Sequence, residues 1–358
     1  MSGPAAKASA ADPGVGYVEQ LLESFGLAAE AAGEHSQELE IAGVRLRLRF
    51  AGAAVRDALM PPLAHLAVEE RAGTEISVLV FESADSGVPA PPLPWRPERA
   101  QPGTNPVFRY ESGRCCVIAA GTGGLTAVDL DRGAGVFHLD DIGRLPANER
   151  AAPLREALHL LLARRGRWLA HAGMAGHGGR GALLVGRSGS GKSTLALSCG
   201  RAGMEIAADD YVVLEPGPPP LAHALQATAK LTRGSAELLG IGPGEVGPGE
   251  YADSIESAPK AEVPIERIAP GAFRHVLEVG ALLAPTVAGL ERPRLEPLGA
   301  AEGLRALAPS TLIQMRSRGA PALPALAGLT REVPCFALGL SNDPAANAAA
   351  VAEALDGV

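Results

Sequence analysis

Residues 182–194 read ALLVGRSGSGKST and fill the pattern G-x-x-x-x-G-K-[ST], which is the phosphate-binding P-loop. The apolar run 182–185 predicts a strand before the loop, and the residues from Thr194 onward predict a helix after it. Such glycines let backbone N–H groups face phosphate oxygens, and the helix adds the positive end of its dipole. A chance glycine-rich turn is the alternative, and the flanking signals disfavour it. Nucleotide contacts are therefore predicted from Gly186, Ser188, Gly189, Ser190, Gly191, Lys192, Ser193 and Thr194.

Two adjacent carboxylates, Asp209 and Asp210, interrupt the apolar stretch MEIAADDYVVL at 204–214. Phosphoryl transfer needs a carboxylate for Mg²⁺ and a residue that takes the proton of the attacking hydroxyl. We assign Asp209 as the general base and Asp210, with Ser193, to the metal; the exchanged assignment stays open. Lys192 is expected on the β- and γ-phosphates. A solvated acidic turn is the alternative, but charge inside an apolar stretch is costly without a partner.

The composition excludes several classes of protein. The chain has 358 residues, with 32 basic and 40 acidic ones and a net charge of −8, and no basic tract predicts nucleic-acid binding. Neither a signal peptide nor an apolar run that could span a bilayer is evident, so we expect a cytoplasmic protein without a membrane partner. The oligomeric state stays open, a homo-oligomer included. Reduced thiols are expected at Cys115, Cys116, Cys199 and Cys335, since none forms a C-x-x-C pair.

The first half of the chain predicts a strand-rich α+β domain over 16–150, after a disordered segment at 1–15. The strand 75–81 has an edge that could take an extended peptide, so this half is expected to dock a substrate. Its other expected elements are a helix at 17–27, a strand at 40–50, a helix at 55–66 broken by two prolines, a proline-rich loop at 88–97, and a meander of strands at 108–110, 115–119, 126–130 and 135–139.

The second half, 151–358, is expected to be the P-loop domain. It begins with a helix at 152–165, with Pro153 in the first turn and Gly166 as the stop. The segments 215–220 and 242–249 are expected to be loops near the mouth of the site. Further elements are expected as strands at 276–283 and 330–340 and helices at 300–307 and 345–355.

The segment HAGMAGHGGRGALLVGRSGSGKSTLALSCGRAGMEIAADDYVVL, 171–214, resembles the kinase core of the HPr kinase/phosphorylase family. The resemblance implies an α/β domain with a mixed sheet, of the phosphoenolpyruvate-carboxykinase type of P-loop fold. It also implies that His171 is the active-site histidine and that Asp209 and Asp210 are the acidic pair. The ATAKL segment at 227–231 is similar to a motif of shorter HPr-kinase-related proteins. Some of those relatives modify serine on peptide precursors during natural-product maturation.

The sequence also departs from this family. Thr194 stands where the HPr enzymes usually have Glu, and no L-E-I-R-G-type segment follows the acidic pair. The family ties that segment to the reverse, phosphorylase reaction, so its absence points to a kinase only. The first half of the chain does not resemble that of the HPr enzymes, which makes HPr itself a poor candidate substrate.

These patterns predict an ATP- and Mg²⁺-dependent kinase that phosphorylates Ser, or Thr, on a peptide or protein, such as a natural-product precursor. His171 is expected to support the base or to contact the γ-phosphate, with a buried hydrogen-bonded histidine as the alternative. Lys230 and Arg233 are expected to neutralise the transferring phosphoryl group, with an ordinary surface position as the alternative. A small-molecule kinase on the same fold and a non-catalytic nucleotide-binding regulator remain the other candidate functions.

Overall fold

The structure of the chain is a computed structural model that describes residues 12–95, 107–120, 124–246, 252–254, 257–314 and 322–357. Within these ranges the strands form three sheets, and the two larger sheets mix parallel and antiparallel pairs. The chain therefore has a mixed α/β fold. No helix in the described ranges combines the length and the apolar character that crossing a bilayer requires.

The first sheet contains seven strands from the described residues and has the order β1-β2-β3-β7-β6-β5-β4. The strands are β1 (Glu34–Ile41), β2 (Val44–Ala51), β3 (Ile76–Glu82), β4 (Val107–Glu111), β5 (Cys115–Ala120), β6 (Gly124–Asp129) and β7 (Ala134–Leu139). The last four run antiparallel to their chain neighbours, so the predicted meander is confirmed.

A hairpin of β1 and β2 stands where the sequence predicted one strand over 40–50. Ala42 and Gly43 form its turn, with φ values of 51° and 75°. Two consecutive residues with positive φ are typical of the tight turns that match the twist of antiparallel strands. The expected alternation of buried and half-exposed residues is present in β2 from Val44 onward.

The strand β3 lies inside the first sheet. It pairs in parallel with β2 on one side and with β7 on the other. The prediction that its edge could take a peptide is wrong, because both edges of its backbone already pair with neighbouring strands. The outer strands of this sheet are β1 and β4.

Helix α1 (Pro13–Ala32) covers one face of the first sheet with Tyr17, Leu21 and Phe25. It begins early because the Asp12 side chain accepts a hydrogen bond from the N–H of Gly14 at 2.9 Å. The disorder predicted to residue 15 is therefore wrong for 13–15, and residues 1–11 lie outside the described ranges.

The expected break at the two prolines is present, since α2 (Ala53–Leu59) is followed by a 3-10 helix, Pro61–Leu66, and then by α3 (Ser83–Ser86).

The loop expected at 88–97 has neither helix nor strand over 88–95, and its last two residues lie outside the described ranges. The loop expected at 215–220 joins two strands of the second sheet. In the segment 242–249, by contrast, a single helical turn occupies Pro243–Val246, and residues 247–249 are outside the description.

Twelve more strands follow in the described part of the chain. They are β8 (Trp168–His171), β9 (Gly173–His177), β10 (Arg180–Leu184), β11 (Glu205–Ala208), β12 (Tyr211–Glu215), β13 (Leu221–Ala224), β14 (Thr228–Thr232), β15 (Ala252–Ser254), β16 (Ser257–Pro264), β17 (Val276–Leu290), β18 (Arg294–Leu298) and β19 (Cys335–Ser341). The second sheet has the order β11-β9-β10-β17-β13-β12-β8, with β19 beside β17 and β18 beside β19. A small antiparallel sheet has the order β14-β16-β15.

Helices cover both faces of the second sheet. The helices of this half are α4 (Ala147–Arg150), α5 (Arg155–Ala163), α6 (Lys192–Arg201), α7 (Arg233–Leu238), α8 (Pro243–Val246), α9 (Ile265–Ile268), α10 (Ala300–Gln314), α11 (Ala322–Glu332) and α12 (Pro344–Asp356). Leu183 of β10 packs into the core that contains Leu307 of α10, whereas Leu184 packs into the core of α6 and α12. Because both faces of β10 are buried at its end, the run 182–185 before the P-loop is apolar throughout.

Several predicted boundaries in this half are wrong. The helix expected from 152 begins at Arg155, because Leu154 has a φ of 60° and leaves Pro153 outside the first turn. The strand expected over 330–340 begins only at Cys335, since α11 runs through Glu332 and Pro334 cannot continue it. The helix expected at 300–307 continues to Gln314.

Both larger sheets contribute to one apolar core. It contains Leu46 and Val78 from the first sheet, Leu158 from α5, and Leu169 and Val213 from the second sheet. Helix α5 packs against β6 and β7 on one side and β8 on the other. The two sheets are therefore joined by shared burial rather than by a linker alone. The four cysteines are free and buried.

Candidate functional site

The P-loop connects β10 to the first turn of α6. Gly186, Gly189 and Gly191 have φ values of 140°, 81° and 99°, which L side chains rarely adopt. A Cβ added at Gly191 would lie 2.5 Å from a side-chain carbon of Leu340, so only glycine fits there. The first N–H groups of a helix have no intrahelical partner, and together with the helix dipole they favour an anion. The loop thus has the backbone geometry of a phosphate site.

Lys192 begins α6 and is only 6% exposed. Its Nζ donates to the carbonyl oxygens of Gly186 at 2.8 Å and Arg187 at 3.2 Å, which keeps the ammonium against the loop. Burial lowers the pKa of Lys192, and the negative charges of Asp210 and Asp209 oppose that change. The lysine charge therefore faces both the loop and the acidic pair.

Asp209 follows β11 and is 2% exposed. Its Oδ2 accepts a hydrogen bond from the backbone N–H of Lys230 at 2.7 Å. Its Oδ1 is buried and has no partner with hydrogen-bond geometry among the described residues. Burial and the charge of Asp210 raise the pKa of Asp209, while the side chain of Ser193 lies close enough to oppose the rise. Asp209 thus offers one unused oxygen beside the P-loop serine.

Asp210 has a different environment, although it is the next residue. Its Oδ1 lies 2.9 Å from Nε2 of His171, and its Oδ2 accepts from Nζ of Lys230 at 2.5 Å. Burial raises the pKa of Asp210, but the charges of Lys230 and His171 and their hydrogen bonds outweigh it and hold the pKa well below its usual range. Asp210 therefore remains a carboxylate at neutral pH.

Strand pairing brings His171 to this pair. β8 runs antiparallel to β12 with His171 opposite Tyr211, the residue after Asp210. The imidazole lies against the Tyr211 ring at a centroid distance of 5.2 Å. The backbone N–H of His171 donates to Oγ1 of Thr311 at 3.2 Å, which ties the end of β8 to α10. His171 is 6% exposed, and its Nδ1 has no hydrogen-bond partner in the described structure.

Three hydroxyl groups connect α6 to the small sheet. Oγ1 of Thr194 lies 2.8 Å from Oγ of Ser235, which lies 2.9 Å from Oγ1 of Thr232. Thr232 also caps α7 by accepting from the N–H of Ser235 at 3.1 Å. The strand β14, which carries Lys230, is thereby fastened to the first turn after the P-loop.

Most of the residues that the sequence singled out meet at this place. The P-loop, Asp209, Asp210, His171 and Lys230 form one contiguous cluster. Arg233 begins α7, and its side chain is exposed.

Neither Ser235 nor Thr311 is predicted from the sequence. Ser235 has a local signal, since Thr232 and Ser235 have the spacing of a helix N-cap. Thr311, in the last turn of α10, has none. Within the described ranges, no group of three or more His, Cys, Asp or Glu side chains is arranged to hold a metal ion. A cation here would therefore depend on oxygen atoms of a hydroxyl or a ligand as well.

No protein-family model matches the chain, and no curated protein matches it. Among solved structures, the chain is similar to the HPr(Ser) kinase/phosphatase from Coxiella burnetii, with 13% sequence identity and a TM-score of 0.25. That similarity covers 49% of this chain and 87% of the other.

Proposed function

We propose that the chain is an ATP- and Mg²⁺-dependent kinase that transfers the γ-phosphoryl group to a Ser or Thr hydroxyl of a peptide or protein. One observation carries this proposal: a P-loop at the start of α6 lies beside two carboxylates whose pKa values shift in opposite directions, up for Asp209 and down for Asp210. His171 and Lys230 both contact Asp210. A nucleotide-binding switch needs the loop and a carboxylate on the metal side, but no second carboxylate that could act as a base. A base-competent carboxylate next to it is what transfer to a hydroxyl requires.

The residues present fit Mg·ATP. The glycines with positive φ and the free first turn of α6 suit a phosphate chain, and the unpartnered buried Oδ1 of Asp209 marks a position that needs a polar ligand. Backbone N–H groups of 188–192 and the Lys192 ammonium would hold the phosphates, while Ser193 and Asp210 would hold the cation. When bound, Mg²⁺ neutralises negative charge on the phosphates and so favours attack by the hydroxyl.

We assign Asp209 as the base. Its raised pKa and its unused Oδ1 suit a group that accepts a proton from the acceptor hydroxyl. Both oxygens of Asp210 are already bonded, and its low pKa suits a permanent carboxylate on the metal side. The proximity of Ser193 to Asp209 supports the exchanged assignment, so the two aspartates must be tested separately.

We also propose positioning roles for the two partners of Asp210. His171 orients Oδ1 of Asp210, and Lys230 fixes both aspartates through its N–H and its ammonium. The Lys230 charge is close enough to the site to stabilise negative charge on a transferring phosphoryl group. Arg233 is exposed at the start of α7 and could reach only an acceptor or phosphate that extends to the surface.

For the acceptor, we propose a peptide whose flexible Ser-containing tail reaches the site while the remainder docks on residues 16–150. The outer strand β4 is the candidate for strand addition, because no described strand pairs with its outer side and Arg109 and Glu111 are exposed. The outer side of β1 is less suitable, since the N–H of Val68 already donates to the carbonyl of Glu38.

The test is to incubate the full chain with Mg·ATP and Ser-containing candidate precursor peptides and to measure a mass gain of one phosphate by mass spectrometry. The full chain is required because the two sheets share a core. Phosphoserine formation that is lost in Arg109→Pro but kept in an Arg294→Pro control would support both the reaction and the docking strand. Phosphorylation of free metabolites alone would favour a small-molecule kinase. Nucleotide binding without any transfer would favour a regulator.

A further inference from the structure

Three of the four lysines of this chain lie in the P-loop or in the small sheet beside it. The chain has 32 basic residues, but lysine occurs only at positions 7, 192, 230 and 260. Lys192 and Lys230 belong to the cluster already described, and position 7 lies outside the described ranges. Arginine binds phosphate through its planar fork, and lysine binds it as a compact point charge, as the P-loop lysine does. The chain uses arginine at its other basic positions, so the placement of lysine at 192, 230 and 260 makes Lys260 a candidate for the phosphate ligand of the P-loop.

The register of the small sheet fixes where Lys260 lies. In the β14–β16 pair, Lys260 is opposite Thr232, and Glu262 is opposite Lys230. Residues opposite one another in an antiparallel pair share a face of the sheet. The alternate residues, such as Leu231 and Ala261, are buried in a core on the other face. Lys260 is therefore on the same face as the Lys230 side chain that binds Asp210.

This face is fastened to the P-loop helix. Thr232, the residue opposite Lys260, is joined through Ser235 to Thr194 in the first turn of α6. Lys260 therefore lies across one strand pair from the hydroxyl groups that reach the P-loop helix.

The side chain of Lys260 makes no hydrogen bond or ion pair among the described residues, and the acid on its face, Glu262, is opposite Lys230. Lys260 is half-buried, so it is not a freely solvated surface lysine. A bound polyphosphate would supply the negative charge that the Lys260 ammonium lacks and would share it with Lys192 and Lys230.

We propose that Lys260 is a third phosphate-binding lysine, which contacts the phosphate chain of the nucleotide at the P-loop. The small sheet β14-β16-β15 is then part of the nucleotide site, since it supplies both Lys230 and Lys260. This inference rests on the proposed function only in that the ligand is Mg·ATP.

Isothermal titration calorimetry of the full chain with Mg·ATP tests the inference. Lys260→Gln removes the charge and keeps a polar side chain, so we expect its Kd to rise about 10-fold or more. Lys260→Arg keeps the charge and should retain most of the affinity. Arg305→Gln removes a distant exposed charge, paired on α10 only with Glu302 in the described structure, and should leave Kd unchanged. The dependence of Kd on salt should also be weaker in Lys260→Gln than in the wild type.

The outcomes separate this inference from the proposed function. An unchanged Kd in Lys260→Gln, together with lost binding in Lys192→Ala, would overturn the role of Lys260 and leave the nucleotide site intact. Equal losses in Lys260→Gln and Lys260→Arg would also overturn it, because charge would not be the determinant. Absence of Mg·ATP binding by the wild-type chain would overturn both proposals.

Discussion

The ion pair between Lys230 and Asp210 should stabilise the fold as well as the site. Its Nζ–Oδ2 distance is 2.5 Å, and the two side chains are 16% and 21% exposed. Without the ammonium, the Asp210 carboxylate would keep only His171 as a side-chain partner among the described contacts. Breaking a fully buried pair costs about 3–5 kcal/mol. Because some solvent reaches this one, we expect Lys230→Met to lower the free energy of unfolding by about 2–3 kcal/mol.

The loss of unfolding free energy in Lys230→Met should depend on pH in a defined direction. Lys230 helps to hold the folded-state pKa of Asp210 below its unfolded value, so this stabilisation is present above the unfolded pKa and is lost as pH falls through the folded pKa. In Lys230→Met the folded-state pKa of Asp210 rises, so acid protonates its carboxylate at a higher pH than in the wild type. The difference between wild type and variant should therefore be largest near pH 7 and should shrink below roughly pH 4.

A double-mutant cycle with Asp210→Asn measures the coupling directly. Reversible chemical denaturation at pH 7, followed by circular dichroism, should give a coupling of about 1–3 kcal/mol between the two substitutions. The exposed pair Arg114–Asp131, at 2.9 Å with side chains 55% and 51% exposed, is the matched control and should show no measurable coupling. Additive effects of Lys230→Met and Asp210→Asn, independent of pH, would refute the reasoning.

Three further predictions concern the lysine, the two aspartates and one glycine of the site. Lys192→Ala should lower the transfer rate about 10²–10³-fold, measured by phosphate mass gain, because it removes the main side-chain charge on the phosphates. Asp209→Asn should lose turnover but keep Mg·ATP binding in calorimetry, whereas Asp210→Asn should weaken that binding. Gly191→Ala should lower the unfolding free energy by roughly 1–3 kcal/mol and weaken Mg·ATP binding, since a Cβ there would lie 2.5 Å from a leucine of β19 at a φ of 99°. Gly189→Ala is its control, with a φ of 81° but open space around the added carbon.

Each of these has a clear contrary result. Wild-type transfer by Lys192→Ala would exclude the loop from catalysis. A reversed pattern for Asp209→Asn and Asp210→Asn would exchange their roles, and two fully active variants would remove both from the mechanism. A Gly191→Ala variant no worse than Gly189→Ala would show that the contact with β19 does not constrain the loop.

Local patterns in the sequence predicted the centre of the site. The P-loop and the Asp209–Asp210 pair are each continuous segments, and a short helix and turn join them. A continuous segment has few ways to fold, so spacing alone indicates which residues meet. Spacing alone does not predict the place of His171, because the register of β8 on β12 brings it to Asp210. Only the family resemblance indicated that these two residues meet.

Long-range pairing explains what could not be predicted. Thr311 reaches the N–H of His171 from a helix 140 positions away, and nothing in the local sequence marks it. The central position of β3 also depends on which strands pair with it, and its own apolar residues fit an inner or an outer strand equally. A single glycine is the only local signal of the turn at Ala42, so the sequence predicts one strand where the structure has two.

The core shared by the two larger sheets has a consequence for engineering this chain. Residues 16–150 cannot simply be exchanged for another protein's domain, because the replacement would have to match side chains from β8, β12 and α5 in shape. Changes confined to the exposed residues of β4 leave that interior untouched. Under the proposed docking of an acceptor on β4, variation of the acceptor preference should therefore begin with surface libraries on this strand, screened in the full chain.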